Sequence, residues 1–259
     1  MKPTQRSIID GESSSGSVNV VSRCGDRVFR PMGYWSKSVH ELLQFLNHSG
    51  FEYAPDFIGV DEKSNRECLS YIDGEVALRP WPSVLRTLSG LEQIARMLKQ
   101  YHQIVVKFEP IGAKWHLADR DTTDSCIIRH GDIGPWNMVW MGDRLVGVID
   151  WDFAEPGTIL EDLAQVAWHC IPLKPPRRST EAGVASEDIE ERFDFFCRTY
   201  GVSKELVLQN ISIIHDQEID RMKTHGVKGV EPWATFLERG DLEVVIEDSL
   251  WLRQRYNLV

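Results

Sequence analysis

Three side chains in one stretch of this sequence have the types and spacing for phosphoryl chemistry. The segment His130-Gly131-Asp132-Ile133-Gly134-Pro135-Trp136-Asn137 carries an Asp and, five residues on, an Asn. A short strand pattern and a turn later comes Val148-Ile149-Asp150-Trp151-Asp152. Moving a phosphoryl group to a hydroxyl asks few things of a protein. One carboxylate orients the hydroxyl and takes its proton, oxygen ligands hold Mg²⁺ against a triphosphate, and the rest is positioning. A loop bearing Asp and Asn, followed by a tight hairpin that ends in a second Asp, brings three such side chains to one point. Asp132 by itself reads as a loop or cap carboxylate, and an HGD tripeptide arises by chance. The fixed offset to Asn137 and the following strand ending in Ile149-Asp150 give the pattern its weight.

The elements around the motif must hold it still. Met138–Trp140 and Leu145–Ile149 read as two strands joined at Gly142-Asp143, the signature of a tight hairpin. The apolar run Val146–Ile149 buries the second strand and sets the height at which Asp150 emerges. Upstream, Val18–Val21 and Arg27–Arg30 alternate around a turn at Gly25-Asp26, and two further strands are expected at Phe57–Val60 and Glu67–Ile72. Val39, Leu42, Leu43 and Leu46 have helical spacing, with Ser36 as the expected N-cap and Gly50 as the stop. After Asp73-Gly74 the pattern turns helical. Leu91, Ile94, Ala95, Leu98, Tyr101 and His102 mark a long amphipathic helix, and further helices are expected at 160–169, 186–200, 204–223 and 242–255. The Pro172–Pro176 stretch reads as a loop. His102 reads as a core histidine and Asp152 as a polar turn residue.

Composition narrows the partners. The 259 residues carry a formal net charge of −10, with 42 % hydrophobic residues, an ordinary globular balance. There is no basic face for nucleic acid; Lys174–Arg178 comes nearest and two prolines interrupt it. No apolar run is long enough for a membrane span, and the first residues lack the apolar core of a leader. The five cysteines form no CxxC pair and suit a reducing cytosol, so a cytoplasmic protein is expected. Acidic residues gather after Asp150, among them Glu187, Asp188, Glu218, Asp220 and Glu247. A cationic acceptor suits that balance, and so does plain solubility.

HGDIGPWN followed by VIDWD resembles the catalytic signature of the aminoglycoside phosphotransferase and choline kinase superfamily. Leu160-Glu161-Asp162-Leu163-Ala164 is similar to the segment that follows it there. The resemblance implies an α+β, two-lobed, protein-kinase-like fold: a small antiparallel β-rich lobe with one helix, then a larger, mainly helical lobe containing the catalytic hairpin. Residues 1–73 would be the nucleotide-binding lobe and 74–259 the lobe with catalytic and acceptor sites. It also implies an ATP- (or GTP-) and Mg²⁺-dependent transfer to a small-molecule hydroxyl. Asp132 would be the base, and Asn137 and Asp150 the metal ligands. His130 would support the loop, and Asp162 would brace it from a helix start. The nucleotide would contact Ser17 in the Ser14–Val20 stretch and the hinge residues Ser70, Tyr71 and Ile72.

The first lobe departs from this pattern. Kinases grip phosphates with a strand lysine paired to a helix glutamate. Here the strand offers Arg30, always charged but not equivalent to Lys, and the nearest helix acid is Glu41. The Ser14–Val20 stretch lacks GxGxxG. These departures keep a second reading open: an immunity or binding protein of the same fold with little turnover. A protein kinase ranks last, because no DFG…APE grammar follows Asp150-Trp151-Asp152.

Overall fold

A computed structural model describes residues 13–15, 20–78, 81–117 and 127–258. The expected Ser17 contact and Cys126 fall outside them. Near the N-terminus, β1 (Ser13–Ser15), β2 (Val20–Cys24), β3 (Arg27–Pro31), β4 (Phe57–Asp61) and β5 (Arg66–Ser70) form one antiparallel sheet in the order β1-β2-β3-β5-β4. The register sets Arg23 opposite Val28 and Arg30 opposite Glu67. Paired residues project to the same face of a sheet, so Arg23, Val28 and Arg30 share one face.

The helix α1 (Ser36–His48) buries Val39, Leu42, Leu43 and Leu46, the periodic set read from the sequence. Its N-cap is Trp35, one residue before the expected Ser36. Ser36 instead accepts a hydrogen bond from the Gly33 N–H at 2.9 Å through its hydroxyl, tying the entry turn to the helix. Gly50, just past the end, adopts φ +79°, the left-handed stop that glycine favours.

The chain then passes through β6 (Glu75–Val76), which pairs with β8 (Met138–Met141). Gly74 is needed here: its φ is +142°, and a Cβ would lie 2.6 Å from the Trp140 carbonyl. The helix α2 (Leu88–Val105) is capped by the Thr87 hydroxyl and buries the expected stripe. Next come β7 (Ile127–Arg129), the β8–β9 hairpin (β9, Arg144–Val148) and β10 (Glu155–Gly157), which pairs with β7. The rest is helical: α3 (Ile159–His169), α4 (Pro176–Glu181), α5 (Ile189–Tyr200), α6 (Lys204–Thr224), α7 (Trp233–Arg239) and α8 (Asp241–Tyr256). The stretch read as a loop at 172–176 runs directly into α4, where Pro176 takes the first helical position, a place that needs no N–H. A 3₁₀ turn at Ser186–Asp188 delays α5 by three residues. No helix of the described residues is long and apolar enough to cross a membrane.

A candidate phosphoryl-transfer site

The loop 130–137 is fastened at every turn. His130 is fully buried. Its Nε2 lies 3.1 Å from the Ile149 carbonyl, which only accepts, so Nε2 carries the proton. Nδ1 then accepts the Asp132 N–H at 3.3 Å. Burial foremost lowers the pKa of His130, which suits this neutral tautomer. With both ring nitrogens committed, the side chain can tie loop to hairpin but has no free nitrogen for substrate. The His130 N–H donates to Asp162 on α3 at 3.3 Å. Asp162 also takes a bond from His102 Nε2 on α2 at 3.2 Å, and His102 Nδ1 meets the Tyr200 hydroxyl at 2.8 Å. The histidine read as a core residue is thus also a strut between three helices. Gln165, one turn on from Asp162, donates to the Gly131 carbonyl at 2.8 Å and accepts the Ile133 N–H at 3.3 Å. Gly131 has φ +81°, and a Cβ there would come within 1.9 Å of the Phe153 carbonyl, so no other residue fits.

Asp132 emerges from this frame half-buried. Asn137 Nδ2 donates at 2.9 Å to both its carbonyl and its Oδ2. Trp136 Nε1 lies 3.2 Å from each carboxylate oxygen. Burial, then the charge of Asp150, push the Asp132 carboxyl up to about 7, against the bonds from Trp136 and Asn137; Glu218 on α6 adds to the rise. A carboxylate poised near neutrality has the proton affinity of a general base. Because Asn137 spends only its Nδ2, its side-chain oxygen is left for another partner.

Asp150 sits past the end of β9, where Ile149 N–H donates to the Asn137 carbonyl at 2.9 Å and so docks the hairpin end on the loop. Its backbone is left-handed, φ 64° and ψ 67°, a conformation that costs a non-glycine residue about 1 kcal/mol or more. That turn leaves the carboxylate 46 % exposed. Asn137 and Asp150 therefore offer one amide oxygen and one accessible carboxylate. Such hard oxygen donors suit Mg²⁺, which takes one or two carboxylates and completes its shell with phosphates and water. Among the described residues no three His, Cys, Asp or Glu side chains gather as a metal cluster.

Arg30 reaches this point from the sheet. Its Nη1 lies 3.3 Å from Asp150, Nη2 pairs closely with Asp152, and Nε lies 3.0 Å from Glu67. Burial works against its charge, and the carboxylates of Asp152, Asp150 and Glu67 outweigh it, so its pKa lies above the ordinary arginine value. The nearest helix acid, Glu41, is not involved; it sits 3.9 Å from Lys37, one turn back on α1, as the solvated helix-face charge its position suggests. The glutamate comes instead from the neighbouring strand, and α1 contributes His40, whose Nε2 lies 2.6 Å from Glu67. Asp152, read as a turn residue, is 8 % exposed and joined to Arg30. Burial first, with Asp150 and Glu67 adding, pushes it up to about 6 in spite of Arg30. None of Glu67, His40, Asp152 or Gln165 carried a sequence signal of its own. The Arg30–Glu67 pairing needs the β3–β5 register, and Gln165 needs the turn of α3.

The hinge residues are differently engaged. Ser70 exchanges bonds with Asp56: its N–H donates to the Asp56 carbonyl at 2.9 Å and its hydroxyl accepts the Asp56 N–H at 2.8 Å. Tyr71 N–H donates to the Asp26 carbonyl at 2.8 Å, and the Arg23 guanidinium lies 3.5 Å over its ring. Ile72 packs against Gly147, where a Cβ would come within 2.6 Å of it.

Comparison with known proteins bears on the fold and on the segment that carries both motifs. The profile of the phosphotransferase enzyme family matches residues 111–196, which include both motifs. A trifolitoxin immunity protein of Rhizobium leguminosarum bv. trifolii is 34 % identical over 160 residues. That match covers 60 % of this chain and 59 % of the relative, so the chain spans less than two thirds of the length of the protein it matches. Among solved structures, a choline/ethanolamine kinase family protein from Mesorhizobium loti superposes with a TM-score of 0.60 at 13 % identity, over 95 % of this chain and 89 % of that one. A GDP and kanamycin complex of APH(2")-IIia superposes with a TM-score of 0.58 at 13 % identity, over 94 % and 91 %. The resemblance drawn from the two motifs holds, and so does the α+β, protein-kinase-like fold.

Proposed function

We propose that this chain is a nucleotide- and Mg²⁺-dependent phosphotransferase that moves the γ-phosphate of ATP or GTP to a hydroxyl of a small molecule. The observation that carries the reading is the convergence on one place of Asp132, Asn137 and Asp150, with Arg30 reaching Asp150 from the sheet. Asp132 takes the proton of the acceptor hydroxyl as its oxygen attacks the γ-phosphorus. His130 and Gln165 hold the loop that carries Asp132. Asn137 and Asp150 would hold the metal, which when bound offsets charge on the triphosphate. Arg30 contacts phosphate from the sheet side, and the nucleobase lies against the 70–72 hinge. In this reading residues up to about 73 are the nucleotide-binding part, and 74–259 carry the catalytic and acceptor sites. The GDP and kanamycin held by a protein of the same fold support a nucleotide and a small hydroxylated acceptor. The protein would work in the cytoplasm.

A specific observation favours a second reading. The relative matched over 160 residues is an immunity protein, and Arg30 already engages Asp150. An immunity or binding role with little turnover would use the same fold. The two are separated by melting the protein with ATP or GTP, with and without Mg²⁺, then following ADP or GDP release across a panel of hydroxyl acceptors. Mg²⁺-dependent stabilisation with acceptor-dependent release is expected. Stabilisation without release from any acceptor would favour the immunity reading.

A further inference from the structure

We propose that Trp136 is a positioning residue that covers the catalytic carboxylate and keeps water from serving as phosphoryl acceptor; this rests on the reading of Asp132 as the base. The indole N–H lies 3.2 Å from both Asp132 oxygens, and Asn137 holds Oδ2 as well at 2.9 Å. A carboxylate offers about four lone-pair sites. Trp136 therefore competes directly with any hydroxyl that must donate to Asp132.

The indole is seated there by its surroundings. Gly134 leaves the space into which the ring folds back: a Cβ at that position would come within 2.5 Å of the indole carbons. On its other side the ring meets His169 edge-on, with centroids 4.8 Å apart. His169 Nδ1 lies 3.3 Å from Lys174 Nζ, and Lys174 is itself 8 % exposed. A half-buried tryptophan with one N–H, aimed at one carboxylate and backed on both sides, has little freedom to move without a partner. An acceptor large enough to press on the indole can free an oxygen of Asp132. Water makes no such contact. In hydrolysis, the water oxygen would form the new bond to the γ-phosphorus, the bond to the departing ADP oxygen would break, and the water proton would go to Asp132. Trp136 hinders that proton transfer by occupying its acceptor.

The test uses the full chain with Mg·ATP and water as the only acceptor. Trp136→Phe keeps an aromatic ring, though a smaller one, and removes the N–H. Its hydrolysis rate should rise about tenfold, the rate equivalent of one hydrogen bond to a charged group, with ATP affinity and melting temperature unchanged. A purely structural role would lower both rate and melting temperature. The rise should vanish in Asp132→Asn/Trp136→Phe. Separately, the Trp136 indole N–H resonance, assigned by its loss in Trp136→Phe, should move in Asp132→Asn. An unchanged or lower rate in Trp136→Phe overturns the proposal; if wild-type hydrolysis still depends on Asp132, the base reading survives that result. A rise retained in the double variant overturns both. An indole resonance indifferent to Asp132→Asn removes the contact on which the proposal stands, whether or not Trp136→Phe folds.

Discussion

The two halves of the candidate site are built in opposite ways. The loop half takes its working residues from one run, 130–137, and its helix supports from Asp162 and Gln165, one turn apart on α3. The sheet half takes one residue each from three elements: Arg30 on β3, Glu67 on β5 and His40 on α1. The loop half holds its geometry largely through short-range backbone and amide bonds. The sheet half holds it with buried charge, where each group depends on the others. The loop half should therefore break through shape and the sheet half through lost pairing.

The largest effect should come from shape. Gly131→Ala forces a Cβ to within 1.9 Å of the Phe153 carbonyl at φ +81°. It should cost about 3 kcal/mol or more, in the range of severe backbone and packing strain, and abolish nucleotide-dependent turnover. Melting temperature and turnover both report it. A Gly131→Ala protein with wild-type melting would show the loop to be looser than drawn.

Removing Arg30 should come next. Arg30→Ala leaves Glu67, 2 % exposed, and Asp152 without their cation. Breaking a buried pair from one side costs about 3–5 kcal/mol, an upper bound here because Asp152 can protonate. From sequence alone Arg30 reads as a phosphate contact, whose loss would weaken nucleotide binding more than it lowers melting temperature. The network leads us to expect both losses, measured by calorimetry and by nucleotide titration. Wild-type nucleotide affinity in Arg30→Ala would return Arg30 to a structural role.

The smallest effects sharpen which glutamate matters. Glu67→Gln should lower the melting temperature and weaken Arg30's hold. Glu41→Ala, at a partly exposed site beside Lys37, should change stability by less than about 0.5 kcal/mol. Urea unfolding of the two variants side by side reads this. A Glu41 effect larger than the Glu67 effect would contradict the pairing.

The same contrast explains what could be read before the structure. His130, Asp132, Asn137 and Asp150 are neighbours in sequence or one hairpin apart, so their spacing alone brings them together. The periodicity of α1 and α2 and the turn at Gly142-Asp143 were legible for the same reason: helix and hairpin are local. Glu67 was not, because only the β3–β5 register sets it opposite Arg30. Glu41 was only the nearest acid on α1, and the residue of that helix that meets Glu67 is His40. Asp152 reads as a polar turn residue until Arg30, 122 residues away, closes on it.

The central claim is that Asp132 is the proton acceptor, and Asp132→Asn tests it most directly. The amide keeps the shape and removes the charge. Because the folded-state pKa of Asp132 is raised to about 7, its stabilising contribution is full below the unfolded value. It is lost as pH rises through about 7. Asp132→Asn should thus melt no lower than wild type at pH 8. The decisive measurement is single-turnover phosphate transfer from Mg·ATP against pH, for wild type and Asp132→Asn, beside nucleotide affinity. The expected result is wild-type transfer rising with pH through about 7, and Asp132→Asn binding nucleotide normally but transferring about 10²–10⁴-fold more slowly. Wild-type transfer by Asp132→Asn would contradict the account and leave residues 130–137 a structural loop.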